Sequence, residues 1–157
     1  MKPDIGINEN NLQKSTDMLS LILADEMLLY VKTRKFHWNV SGNSFMEVHK
    51  LFQTQYTELE ERIDEVAERI NKLGGHTIGT MKEFSALTRL KESPEKYPEQ
   101  KDMIQELLTD HESLIIALRK DIEDSSEKSK DAGTIDFITG IMEEHETTAW
   151  VLRRYLN

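Results

Sequence analysis

Residues Val48, Phe52, Tyr56, Leu59, Ile63, Val66, Ile70 and Leu73 recur at intervals of 4, 4, 3, 4, 3, 4 and 3. Side chains spaced in this way line up on one face of an α-helix and scatter over both faces of a strand. The run therefore predicts a long amphipathic helix. Ser44-x-x-Glu47 reads as a capping box at its start, and Gly74-Gly75 as a C-cap at its end. An apolar stripe of this length has to be covered by other helices.

Three further stretches supply that cover. Leu12, Leu19, Ile22, Leu29 and Phe36 mark a helix from about Asn11 to Trp38, interrupted by Glu26. Met103, Leu107, His111, Leu114, Leu118 and Ile122 mark another, with Pro94 and Pro98 bracketing its start and Pro98 suited to its first turn. Ser125 to Gly133 is a polar break. Thr134 then reads as the cap of a last helix carrying Ile135, Ile138, Met142, His145, Ala149, Leu152 and Leu156. Only 7 Gly and 3 Pro occur in 157 residues, so these stretches run without breakers. Thr77 to Glu92 forms a long connection between the second and third helices, with a short helix expected at Lys82–Arg89. Four helices with one long crossover in that place describe an all-α, ferritin-like four-helix bundle rather than a bundle with short loops throughout. Length and pattern fit one domain over 1–157, with 1–10 as a short N-terminal extension.

Charge and composition remove several classes of function. Against 20 Lys and Arg stand 29 Asp and Glu, a net charge of −9, which disfavours nucleic acid and anionic lipid as whole-surface partners. Cysteine is absent, so disulfides, thiolate metal sites and Cys nucleophiles are excluded. The greasiest stretch, Leu19 to Val31, contains Asp25 and Glu26 and is too short and too charged to span a bilayer. Lys2 is followed by no apolar h-region, and a cytoplasmic protein without membrane attachment is expected. Nucleotide-binding glycine motifs and G-x-S-x-G are missing. So is Glu-x-x-His, which di-iron proteins use twice inside one bundle.

One constellation of residues can carry chemistry. His37 ends the first helix and His49 begins the second, while Asp64 and Glu68 lie four apart on one face further along. Imidazole plus carboxylate without thiolate suits Fe(II), Mn(II) or Zn(II). His49 and Asp64 are 15 residues apart, about 22 Å along a helix, and cannot share a metal within one chain. Two copies packed antiparallel about a two-fold, crossing near Thr57, bring each copy's histidines to the other's carboxylates and create two sites at once. The same carboxylates also suit a solvated, ion-paired helix face.

The run His37-Trp38-Asn39-Val40-Ser41-Gly42-Asn43-Ser44-Phe45, then Val48-His49, Tyr56 and Asp64-Glu65-Val66-Ala67-Glu68-Arg69-Ile70, resembles the signature of the Dps family, the mini-ferritins also called DNA-binding proteins from starved cells. Similarity continues through Leu73-Gly74-Gly75, Met81-Lys82-Glu83-Phe84 and Glu144-His145-Glu146 to Trp150. The resemblance implies a hollow homo-dodecamer with a ferroxidase centre across the dimer two-fold. His37 and His49 would be its ligands from one chain, and Asp64 and Glu68 those from the partner. Such a protein oxidises Fe(II), preferentially with hydrogen peroxide, and stores Fe(III) mineral, consuming peroxide without releasing hydroxyl radical. Zn or Mn would be alternative ions in vitro. Trp38, beside His37, could absorb a stray oxidising equivalent or simply pack at the helix end. Asp136 matches an acidic position of the iron-entry pores, with Asp131 as its neighbour or as a helix N-terminal charge.

Gln53 departs from the pattern. It stands four residues after His49, where the family carries a carboxylate, and can offer iron only a neutral oxygen. Glu47 lies on another face. Lysine-rich tails that neutralise phosphates are not evident, since Lys2 stands against Asp4 and Glu9 and the last residues carry only Arg153 and Arg154. Twelve subunits at −9 each would carry roughly −100 charges, so DNA binding is expected to be weak or absent. The competing reading is an architectural, DNA-protecting shell with weak or no ferroxidase activity. His111 and His145 lie on apolar stripes and read as core histidines.

Overall fold

A computed structural model describes residues 3–157. Met1 and Lys2, the start of the N-terminal extension and the residues of its one basic charge, lie outside the described residues. The described chain forms α1 (Glu9–Asn39), α2 (Phe45–Lys72), α3 (Met81–Leu87), α4 (Gln100–Lys128) and α5 (Ala132–Leu156). No strand occurs among the described residues. None of the helices is long and apolar enough to cross a membrane.

The direction of each helix follows from what it touches. His37 meets His49 across the short turn after α1, so α1 and α2 are antiparallel. Lys32 of α1 pairs with Asp110 while Lys14 reaches the Lys128 carbonyl, so α4 runs opposite to α1 and in the same direction as α2. The segment between α2 and α4 must then travel the length of the bundle, and α3 lies in it. That is the ferritin-like connection expected from the sequence. Asp25, buried on α1, holds the crossover in place. It accepts from the Thr88 hydroxyl and from the backbone N–H of Arg89, and pairs with the Arg89 guanidinium at 2.7 Å.

Several helix ends differ from expectation for local reasons. Ser44 precedes α2 in a left-handed conformation, φ 63°, and makes no side-chain cap. The capping box forms instead at α3, where Thr80 and Glu83 bond each other's backbone N–H. Pro98 stays outside α4, whose cap position is Glu99. Thr134 does not cap α5; it donates both its backbone N–H and its hydroxyl to Asp131, the true cap. Gly74 ends α2 as foreseen. Its φ of 83° lets its N–H reach Asn71 and that of Gly75 reach Ile70, the paired bonds of a Schellman motif. A Cβ at Gly74 would lie 2.6 Å from the Pro3 ring.

The core is divided. One apolar cluster gathers Leu19, Ile22, Leu23, Val66, Ile70, Leu118 and Ile138. A second gathers Leu29, Phe36, Phe52, Leu59, Leu107, Leu114 and Leu152. Between them on α1, α2 and α5 fall buried Glu26, Arg62 and His145. On α2 Gln55 and Arg62 take buried positions in place of Tyr56 and Ile63, which are only partly buried.

Candidate metal centre

The turn joining α1 to α2 is short, so its two flanking histidines are pressed together. Their rings stack with centroids 3.7 Å apart and planes inclined by 21°. His37 Nδ1 lies 2.8 Å from the carbonyl of His49, and His49 Nδ1 lies 2.8 Å from the carbonyl of His37. A carbonyl only accepts, so each Nδ1 carries the proton and donates. Both rings are thereby held in the tautomer whose Nε2 keeps a free lone pair. Backbone carbonyls orienting metal-binding imidazoles in this way are a common supporting contact in metal sites. Tyr56 closes one side, its ring 5.1 Å from that of His37, and Phe45 closes another, 5.0 Å from His49.

Asp64 and Glu68 project from the exposed side of α2 near its far end. Glu68 pairs with Lys72 at 3.0 Å, an exposed contact that a stronger ligand displaces readily. Arg69, next to it, faces inward and donates to Thr134 at the start of α5. Gln53 is exposed on the same face of α2 as His49. Glu47 is engaged by the Tyr155 hydroxyl at 2.9 Å. Among the described residues no three of His, Asp and Glu gather closely enough to hold a metal ion within the chain. The structure therefore brings His37 and His49 together and leaves Asp64 and Glu68 apart from them.

Trp38 is 65 % exposed, so it does not pack at the helix end within the chain. The Arg34 guanidinium lies over its ring at 5.4 Å and over that of Tyr56 at 4.6 Å. Of the two acidic residues singled out near α5, Asp136 is exposed, whereas Asp131 is buried and spends its carboxylate on Thr134 and Arg69.

A second cluster of the same residue types was not assembled from sequence. Glu26 accepts from His145 Nε2 at 2.6 Å and pairs with Arg62 at 3.3 Å, and His145 Nδ1 lies 2.8 Å from His111 Nδ1. Burial by itself pushes the Glu26 carboxyl up, but His145 and Arg62 outweigh it and hold it below the usual carboxylate value. Burial, then His145 and Arg62, keeps the His111 imidazole well below its ordinary value. The signal available in the sequence was Arg62 itself, three residues after Leu59 and four before Val66, a charged residue in step with the stripe.

The ferritin-like domain model matches residues 16–157. DNA protection during starvation protein 2 of Bacillus anthracis is 37% identical over 142 residues, covering 90% of this chain and 95% of the relative. The chain belongs to the ferritin-like family, on its Dps branch. An uncharacterised low temperature-induced protein of Nostoc is 43% identical over 153 residues, covering 98% of this chain and 86% of the relative. The crystal structure of Dps from Vibrio cholerae, described as a member of a broad superfamily of ferritin-like diiron-carboxylate proteins, superposes with a TM-score of 0.91. It is 28% identical, and the match covers 99% of this chain and 97% of that one. Membership of this family supports an iron-related role, and the all-helical fold agrees with it.

Proposed function

We propose that this Dps-type chain is a ferroxidase and iron-storage mini-ferritin of the cytoplasm, working as a hollow homo-dodecamer. Fe(II) is its substrate, hydrogen peroxide its preferred oxidant and Fe(III) mineral its product. The observation that carries this reading is the reciprocal His37–His49 pair, whose carbonyl-locked rings each keep Nε2 free to bind a metal. These two nitrogens are half of a ligand set. The other half, Asp64 and Glu68, comes from the partner when two α2 helices cross antiparallel near Thr57.

The donors suit Fe(II): neutral imidazole supplies affinity, and the two carboxylates balance the charge that rises on oxidation. Each peroxide takes two electrons, one from each of two Fe(II). The O–O bond breaks, both oxygens leave at the oxide level as water or ferric oxyhydroxide, and hydrolysis of Fe(III) releases protons. Paired delivery of electrons is what avoids hydroxyl radical. Gln53 adds a neutral oxygen at most, so iron occupancy of the centre is sparser than with a carboxylate there, and Gln53→Asp is expected to raise the Fe(II) bound per subunit. Trp38, exposed beside His37, would take up a stray oxidising equivalent, and Asp136 would line an iron-entry pore. Zn(II) and Mn(II) fit the same donors and are expected to compete. With −9 on each chain, we infer that protection comes from removing Fe(II) and peroxide, not from coating DNA.

An anaerobic Fe(II) titration of the metal-free protein, followed by hydrogen peroxide and read as ferric absorbance, tests the reading. Fast, saturable oxidation in the wild type that is lost in Glu68→Ala supports it. Oxidation no faster than buffer in both would favour the architectural shell, as would retardation of DNA in a low-magnesium gel.

A further inference from the structure

Each of the four long helices sends one polar side chain to the same level of the bundle. Glu26, Arg62, His111 and His145 are all at most 4% exposed. Arg62 bridges two carboxylates: Glu26 within the core and Glu144, 2.7 Å from the guanidinium, nearer the surface. Glu144 and Arg62 line an open pocket of about 300 Å³ together with Glu58, Glu61 and Glu65. Burial raises Glu58, Arg62 opposes this, and Glu144 and Glu61 add to it, so Arg62 is the cation that this acidic group leans on. Carboxylates and imidazoles converging from facing helices are the donors with which ferritin-like bundles hold metals in general. An acid-lined opening gives a divalent cation a way in.

A guanidinium stands among those donors. It cannot lose its proton, and it satisfies two carboxylates at once in a fixed geometry. The layer is otherwise not saturated: His111 Nε2 is buried without a partner. The geometry points to Arg62 as a built-in cation that occupies the carboxylate–imidazole pocket and bars divalent transition-metal ions from the subunit interior. Displacing it would strip a buried carboxylate of its counter-charge and detach a second one. Glu26 and Glu144 are held apart on either side of the guanidinium; with a neutral side chain in its place, a metal ion that draws the two carboxylates together takes over its charge, with His145 as a further ligand or as the hydrogen-bond donor that orients Glu26. This inference goes beyond the intersubunit centre and stands or falls apart from it, because it concerns binding inside one chain and not oxidation.

Co(II), a redox-quiet probe with visible bands that report imidazole and carboxylate ligation, tests it. Wild type, Arg62→Met, Arg62→Gln and Arg62→Lys are titrated by calorimetry and visible absorption, with helicity checked by circular dichroism. Arg62→Met is expected to bind one extra Co(II) per subunit, with a gain in affinity of roughly a hundredfold or more, the scale of an uncompensated buried carboxylate. The gain should disappear when Glu26→Gln is added. Arg62→Lys, which keeps the charge, should show no gain. Where Arg62→Met does not fold, Arg62→Gln decides, since it removes the charge but keeps hydrogen bonding. The inference is overturned if folded neutral variants gain no site, if Arg62→Lys gains one equally, or if the wild type already binds Co(II) in a manner abolished by Glu26→Gln.

Discussion

Two histidine pairs in this chain have opposite surroundings. His37 and His49 sit at the edge of the bundle, next to a short turn, with their Nδ1 protons given to backbone carbonyls and their Nε2 lone pairs unspent. His111 and His145 sit in the middle, bonded to each other and, through Glu26, to Arg62. The first pair is oriented by groups that leave a ligand free. The second belongs to a layer that already contains its cation. The residue types are similar in both places, so what differs is the partner: a neutral carbonyl at the edge, and a carboxylate bonded to a guanidinium in the core. A ligand set is therefore recognised by whether the donors' charge is already answered from within the chain, as Arg62 answers Glu26, rather than by how many histidines and carboxylates are near.

The largest expected effect comes from breaking the filled layer. Arg62→Ala leaves Glu26 buried without its guanidinium and should lower unfolding free energy in urea by about 3–5 kcal/mol, while peroxide-driven iron oxidation per folded subunit is retained. Breaking the open pair should do the reverse. His49→Ala removes one proposed ligand and is expected to slow ferric formation by about 100-fold, roughly 2.7 kcal/mol of activation free energy, with little change in the urea midpoint.

The two pairs also differ in how they answer to acid. His111 stays neutral in the fold below its ordinary value of 6.5, whereas the unfolded chain takes up the proton there. Stability is therefore fully present above that value and falls as pH drops below it, by at most about 1.4 kcal/mol per pH unit for this one group. Glu26, held below 4.5, acts at more acidic pH, where its contribution is lost as pH falls through its own folded value. His111→Leu should flatten the upper part of the profile, below 6.5 and before Glu26 begins to act, in urea melts taken at successive pH values.

The smallest effect sharpens the boundary of the carboxylate half. Asp131→Ala removes the cap of α5 and the anchor of Arg69, and should cost about 1 kcal/mol while leaving oxidation rates near wild type. If iron uptake into the mineral falls sharply instead, Asp131 has a role in iron entry besides capping.

Part of this contrast is legible in the sequence. Apolar spacing gave four helices and the crossover, because a stripe such as Leu19, Ile22, Leu29 and Phe36 is read directly from burial energetics. The distance between His49 and Asp64 along α2 excludes a metal shared by them within one chain, so the proposed centre calls for a second copy. The filled layer was not legible as a unit. Glu26 registered only as an interruption, and hydrophobicity drew the stripe through Tyr56 and Ile63 when the helix is turned so that Gln55 and Arg62 point inward. A charged residue can hold an inner position when its partners come from other helices, and those partners are 36 and 82 residues away in the chain. Caps misled for a related reason. Ser44 and Thr134 have the right identity, but backbone handedness at Ser44 and the carboxylate of Asp131 decide the actual bonds.

The claim on which the rest depends is that histidines and carboxylates come from different subunits. Co-expression of a His37→Ala/His49→Ala chain with an Asp64→Ala/Glu68→Ala chain tests it most directly, with peroxide-driven Fe(II) oxidation as the readout. Each chain alone should be inactive. In a random mixture half of the dimers are mixed, and each mixed dimer holds one intact centre and one dead one, so about a quarter of the wild-type rate should return. Recovery near that level is the predicted result. No recovery, in an assembly shown to contain both chains, would contradict the shared centre.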